Sequence, residues 1–362
     1  MMQEKSFITE LTSRTIDVLR FPLAFMVVIL HVPYLFPLPF SFGVKVFWNV
    51  FNQNLARLAV PAFFLISGYL FFLKIQDYNI SVYFAVLRRK CKTLLLPYLI
   101  FCAISFFCKF LLVKDTTLLE FYKSLGGVRL FIDCGHIYTE NWRGLSDWAG
   151  AFPINGALWY MRDLIIMVVL SPVVWTLLKR SNSYCIVVLT LIYIVNPCIG
   201  IPHISAICMF SLGAYFSINK KDLISEFRKI PVFIYMPLMI AMMIFQIIFK
   251  NLDFVQVFVI FGLIAIFNIT SLMVEREHIH PIRFLSVSSF FIYAMHDNIV
   301  VMLQSLEKQG FQILVHYNAL TQTLQCVLMP IFVTIILLVM YWLLYRYASP
   351  VLALLMGGRN MK

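Results

Sequence analysis

Apolar stretches long enough to cross a bilayer recur from one end of this chain to the other. They lie near residues 16–36, 54–73, 93–113, 157–178, 184–200, 203–218, 231–249, 254–274, 284–305 and 322–345. A hydrocarbon core about 30 Å thick needs ~20 apolar residues in helical form, and the segments between these stretches are short. Backbone polar groups in lipid must be satisfied within the structure, so the stretches are expected as helices rather than as an open sheet. Composition agrees: 61% of the residues are hydrophobic and 13% are charged, where a soluble domain carries roughly 25% charge. The expected fold class is an all-α integral membrane protein with about ten transmembrane helices. It is expected as a single membrane domain over residues 1–362.

The net charge of +12 does not point to nucleic acid, because of where the charge falls. With the N-terminus in the cytoplasm, most of the 29 Lys and Arg residues lie on inside segments, as the positive-inside rule requires. The C-terminal tail, about 346–362, is then also cytoplasmic. The first stretch is too long and too polar at its start for a signal peptide, and no small-residue cleavage site follows, so it is expected to stay attached. Most of the 8 Cys residues fall in spans, where Cys is a small hydrophobe. They show no metal-ligand spacing. Cys134 and Cys198 could both face outside, but no disulfide is expected. The longest polar segment, about 114–156, is placed outside and contains Gly126, Gly127, Asp133, Trp142 and Trp148. Either it shapes an external substrate site or it is a connector. The absence of an internal repeat weakens a transporter reading.

Five groups of residues stand out. The first stretch holds Arg14, Asp17, Arg20 and His31. Ionisable groups inside a span are costly and default to function. Arg20 and His31 are close to three helical turns apart, on one face and separated by ~16 Å along the axis. A neutral His in apolar surroundings can act as a general base; the alternative is a buried His satisfied by a structural partner. Asp17 lies too far along the helix to reach His31, so a partner for His31 must come from another span. Pro22 and Pro33 could each disturb the phase. The second group is a basic run in the inside loop before span three: Arg88, Arg89, Lys90 and Lys92. It suits phosphate binding, or a topological anchor and anionic lipid. The third is in span two: Arg57 near its outer end, with Ser67 and Gly68 permitting close helix approach. The fourth is Trp159-Tyr160-Met161-Arg162-Asp163. Here the aromatics form an interfacial belt or a sugar platform, and the adjacent Arg162 and Asp163 are expected to pair elsewhere. The fifth is Tyr293, His296 and Asp297 in span nine, either a functional spot or a hydrogen-bond cluster, with a carboxylate that needs a partner.

Together these segments resemble the acyltransferase-3 family of bacterial integral-membrane O-acyltransferases. The first stretch is similar to the family's Arg, ten residues, then His, preceded by an Asp three before the Arg. "FFLISGY" at 63–69, the basic run ending in "LLPY" at 95–98, "LWYMRDLI" at 158–165 and "SSFFIYAMH" at 288–296 follow in the family's order, so the likeness covers most of the chain. Two departures stand out. The family's Arg-x-x-Arg is Arg89-x-x-Lys92 here, and no extracytoplasmic hydrolase-like domain is seen after the spans.

The resemblance implies a multi-pass protein of the bacterial inner membrane that transfers an acyl group, most often acetyl from acetyl-CoA. The acceptor would be a hydroxyl of a cell-surface polysaccharide or a lipid-linked sugar. Other polysaccharide-biosynthesis proteins would be partners, with no metal and no nucleic acid. On this reading His31, Arg20 and Asp17 are catalytic. Arg14, Arg88, Arg89 and Lys92 hold the phosphates of the acyl-CoA. Arg57, Trp159, Tyr160, Arg162, Asp163, Tyr293, His296 and Asp297 bind or support substrate. The alternative is a transporter or flippase for a lipid-linked glycan.

Overall fold

A computed structural model describes residues 9–32, 42–113, 116–134, 152–181, 183–195, 201–249, 254–308 and 318–358. Among these residues the regular structure is helical, with no strand. Each of the ten predicted stretches overlaps a helix or a run of helices among the described residues, with 33–36 and 196–200 lying outside them.

The first is α1, Glu10–His31, continuous through Pro22 and capped at its start by the Thr9 side chain, which accepts from the Thr12 amide. It begins before the predicted 16–36 stretch. His31 is its last residue, while Pro33 lies outside the described residues. The phase between Arg20 and His31 is therefore kept. The buried positions Ile16, Leu19, Leu23, Ala24, Val27 and Val28 recur at helical spacing. They pack chiefly on the ninth stretch and also on the eighth.

Span two runs from Phe42 to Phe72 as α2 (Phe42–Phe47), a π-helical turn (Trp48–Asn52), a 3-10 turn (Leu55–Leu58) and α3 (Ala59–Phe72). Span three runs from Ile80 to Phe110 as α4 (Ile80–Lys90), a π-helical turn (Cys91–Leu95) and α5 (Leu96–Phe110). This corrects one expectation: the basic run at 88–92 is not in a loop but inside a continuous helical path. No breaker separates Ile80 from Leu96, and the π turn leads into Pro97 in the first turn of α5, where its missing N–H is tolerated.

The chain continues through α6 (Leu118–Ser124), α7 (Trp159–Val169), α8 (Ser171–Ser181), α9 (Tyr184–Val195), α10 (Ile204–Ile218), α11 (Leu223–Arg228), α12 (Val232–Ile248), α13 (Val255–Glu275), α14 (Arg283–Lys308), α15 (Ala319–Tyr347) and α16 (Ser349–Leu355). Spans two and three, α13, α14 and α15 are long and apolar enough to cross a membrane, and α7 with α8, bent by 65°, makes a sixth broken span. Pro172 sits at the start of α8, where its missing N–H costs no helical bond. The helices α9, α10 and α12 are apolar but shorter. The chain is an all-α membrane protein.

Two contacts fix the scaffold around α1. The helices α3 and α10 touch backbone to backbone: a Cβ on Gly68 would lie 2.0 Å from the Phe210 carbonyl oxygen, and one on Gly213 2.0 Å from that of Leu65. Only glycine at both positions permits this approach. At the other end Asp222, the N-cap of α11, accepts from the Ser225 amide (3.0 Å), the Thr9 amide (3.1 Å) and the Thr12 hydroxyl (2.9 Å). One carboxylate thus ties together the starts of α1 and α11. Burial pushes this carboxyl up, but the amide and hydroxyl donors outweigh it and hold it below the usual carboxylate range.

Candidate functional site

The structure brings His31 and His296 together from opposite ends of the chain. His31 ends α1, and His296 is mid-helix in α14, 265 residues later. His296 Nε2 lies 3.2 Å from His31 Nδ1, with the rings edge to face at 4.8 Å between centroids. His296 is fully buried and His31 half-buried. Of Tyr293, His296 and Asp297 in span nine, it is His296 that reaches His31.

The hydrogen-bond network assigns the tautomers. His296 Nδ1 faces two carbonyl oxygens, Tyr293 at 2.7 Å and Ile292 at 3.3 Å. Carbonyls only accept, so Nδ1 carries the proton, and in the neutral ring Nε2 carries the lone pair. His31 Nδ1 likewise faces two acceptors, the Val27 carbonyl at 2.9 Å and His296 Nε2. It must therefore hold the proton of a neutral His31. The lone pair of His31 is on Nε2, where a general base needs it.

Polar groups from several helices surround this pair. Asn52, buried in the π turn of span two, donates to the carbonyls of Ile29 (3.0 Å) and Leu30 (2.8 Å). It satisfies the open C-terminal carbonyls of α1 and sets the turn that presents His31. The Tyr293 hydroxyl donates to the Ala157 carbonyl. Its ring stands on Tyr160 at 5.5 Å, and the Tyr160 hydroxyl meets Ser67 Oγ at 2.9 Å. Asp297, beside His296, lies 3.8 Å from Lys109 Nζ of α5, and its Oδ2 has no hydrogen bond. Lys109 also donates to the Ile154 carbonyl. Asn155 donates to Ser105 Oγ and to the Ala294 carbonyl, each at 3.0 Å, so the segment before α7 is tied to α5 and α14 around the histidine pair.

Other expected site residues lie elsewhere. Asp17 pairs with Arg20 at 2.8 Å, both side chains 39% exposed, so Asp17 orients Arg20 and not His31. Arg14 meets His280 Nδ1 at 3.2 Å. Arg88, Arg89 and Lys92 are exposed and form no ion pair among the described residues, while Lys90 lies over the Phe71 ring at 5.7 Å. Arg57 Nη2 donates to Gln53 Oε1 at 3.0 Å.

The expectation that Arg162 and Asp163 pair elsewhere is overturned. Arg162 Nε donates to Asp163 Oδ1 at 2.9 Å. Both residues sit in the first turn of α7, and the long Arg side chain folds back on its neighbour while reaching the Ile132 carbonyl at 2.7 Å. The other oxygen of Asp163 takes the backbone amide of His203 at 2.9 Å and His203 Nδ1 at 2.6 Å. Trp159 packs edge to face on His203 at 4.8 Å, and Tyr160 is buried. Tyr160 belongs to the core, and Trp159 is half-buried against it.

Sequence reasoning missed Lys109, His203 and the polar run Asn52-Gln53-Asn54. The rule that flags charge inside a span applies to Lys109 as well as to Asp297. The Asn-Gln-Asn run is a polar interruption in an otherwise apolar stretch. His203 carried no comparable local signal. Cys134 is a free buried thiol that bonds to the Leu130 carbonyl at 3.4 Å, and Cys198, Trp142 and Trp148 lie outside the described residues. Among the described residues no group of three His, Cys, Asp or Glu could hold a metal ion.

Comparison with known proteins identifies the lineage of this arrangement. The succinoglycan biosynthesis protein ExoH of Rhizobium meliloti (strain 1021) is 29% identical over 217 residues, covering 57% of this chain and 54% of that protein. The chain thus aligns with about half the length of this relative. No solved structure matches the chain. The family model for the acyltransferase domain matches residues 14–346, from the arginine at the start of α1 to the end of α15. The chain belongs to the acyltransferase-3 family.

Proposed function

We propose that this protein is a membrane O-acyltransferase of the bacterial inner membrane. It moves an acyl group, acetyl in the first instance, from acyl-CoA at the cytoplasmic face to a hydroxyl of a cell-surface polysaccharide or its lipid-linked precursor. The observation that carries this reading is the His31–His296 contact with the lone pair of His31 on Nε2. That lone pair takes the proton of the acceptor hydroxyl as its oxygen attacks the thioester carbonyl. The carbon–sulfur bond breaks, and the coenzyme A thiolate leaves with the proton that His31 returns. As His31 becomes cationic, its bond to His296 changes from neutral to charge-assisted and strengthens. A nucleophilic route through an acyl-histidine would use the same nitrogen.

Acyl-CoA is a substrate here, and the chain offers cationic groups for its phosphates. Arg88, Arg89 and Lys92 are exposed and unpaired among the described residues, and Arg20 is held by Asp17 on the side of α1 that also carries His31. About 16 Å along the helix gives a pantetheine arm room to bring its thioester from Arg20 to His31. The single membrane domain and cytoplasmic termini expected from the charge pattern belong to the same proposal. A transporter or flippase has no need of this base, and acetyl-CoA binding by solubilised protein separates the two readings.

The deciding experiment measures transfer of radiolabelled acetyl from acetyl-CoA to de-O-acylated surface polysaccharide of the host strain in membrane vesicles. The His31→Ala protein should accumulate normally and lose transfer by a factor of about 10²–10⁴, the range for a general base. Surviving activity removes His31 from the mechanism.

A further inference from the structure

The helical path of span two breaks beside His31. The π turn ends at Asn52, Asn54 departs from helical geometry (φ −119°, ψ −81°), and a 3-10 turn follows. Irregular backbone at membrane depth is tolerated where it is buried in protein or lines a polar cavity, so the side chains at this break are informative. Asn54 donates from Nδ2 to the Asn49 carbonyl at 2.6 Å, replacing a bond that the break removes. Its Oδ1 is buried with no donor, and the residue is 0% exposed. Gln53 Nε2 donates to Asn52 Oδ1 at 3.3 Å, and Gln53 Oε1 accepts from Arg57 at 3.0 Å. Among the described residues these two bonds use one donor and one lone pair of the Gln53 amide, leaving one of each. Gln53, Arg57 and His31 are all half-buried.

A line of amides and one guanidinium thus starts at the last turn of α1, where Asn52 is bonded to the carbonyls of Ile29 and Leu30, and continues through Gln53 to Arg57. Neutral amides with unused donor and acceptor capacity match a polyhydroxylated ligand better than a phosphate, which would call for further cations.

We propose that this break is the subsite for the hydroxyl groups of the acceptor sugar, with Gln53 and Arg57 as direct ligands and the Asn54 oxygen as an acceptor for a sugar O–H. The proposal rests on the acyl-transfer reading. It divides the site in two: the acyl donor reaches His31 along α1 from Arg20, and the acceptor reaches it from the break in span two.

The test uses the vesicle assay with de-O-acylated host polysaccharide and acetyl-CoA varied separately. Q53L should raise KM for the polysaccharide about 10-fold, the scale of one lost hydrogen bond with an unsatisfied partner left behind. R57Q should do the same or more, and KM for acetyl-CoA should stay at its wild-type value in both. Q53E keeps an acceptor for Arg57 but loses the amide donor; it is read the same way should Q53L fail to accumulate in the membrane. An unchanged polysaccharide KM overturns the proposal. So does a rise in the acetyl-CoA KM, which would make the break a pantetheine site. Wild-type vesicles that transfer nothing would instead fail the acyl-transfer reading, and this subsite with it.

Discussion

Replacing His296 by Leu tests the histidine pair without touching the proposed base. The site is fully buried, and Leu fills much of the imidazole volume. The carbonyls of Ile292 and Tyr293 that His296 bonds lie on its own helix. The change therefore removes one intermolecule-like contact between helices, the 3.2 Å bond to His31 Nδ1. Its catalytic worth is the difference between its strength in the transition state and in the ground state. A neutral hydrogen bond contributes about 1 kcal/mol, and one from a charged donor about 1.5–3 kcal/mol. Deleting the acceptor should then raise the barrier by roughly 1–2 kcal/mol, a loss of about 5–30-fold in kcat. His296→Gln, which offers an amide oxygen in place of Nε2, should recover part of that loss. The assay is acetyl transfer in membrane vesicles at saturating acetyl-CoA and polysaccharide, with protein abundance matched. If kcat for H296L stays within about twofold of wild type, the pairing has no catalytic role. If Gln does no better than Leu, the effect is packing rather than hydrogen bonding.

Two further outcomes follow from Arg89 in span three and Asp222 at the start of α11. Arg89→Ala should raise the acetyl-CoA KM by about tenfold, the loss of one charge-assisted contact to phosphate, with little change in KM for the polysaccharide; an unaltered acetyl-CoA KM removes Arg89 from the donor site. Asp222→Asn should loosen the start of α1, at a cost of about 1 kcal/mol once its half-exposed position is discounted, read as faster amide exchange over the first turns of α1. The carboxyl is held below the usual carboxylate range, so its contribution is complete above that range and is lost as pH falls through its own lower value. The wild-type and Asn proteins should therefore differ at neutral pH and converge in acid.

Hydropathy made the helical stretches readable, because a lipid-facing helix must be apolar along its length. It also made readable the need for a partner to His31 from another span, since helix rise alone rules out Asp17. Which residue supplies that partner depends on how α1 packs on α14, and no local pattern states that. The same holds for Asp163, whose partners are its neighbour Arg162 and the distant His203. The spacing rule for helix faces failed at Arg162 because a long, flexible side chain in a first turn can fold back on its neighbour. The basic run was placed in a loop because four cations in five positions read as polar surface. The helix passes straight through them, since nothing there breaks it and exposed side chains can carry their charges to water. Arg20 and Asp17 were legible as a pair because they share one helix.

The order in which the chain is made gives the histidine contact a further meaning. His31 leaves the ribosome early, and His296 follows only after seven more helical stretches have been synthesised. Until α14 is inserted beside α1, the first histidine keeps the Val27 carbonyl of its own helix but lacks the His296 acceptor. A nascent or prematurely ended chain would hold the exposed cations of span three and the break in span two, yet lack half of the histidine pair. On the acyl-transfer proposal, full activity is thereby coupled to completion of the bundle.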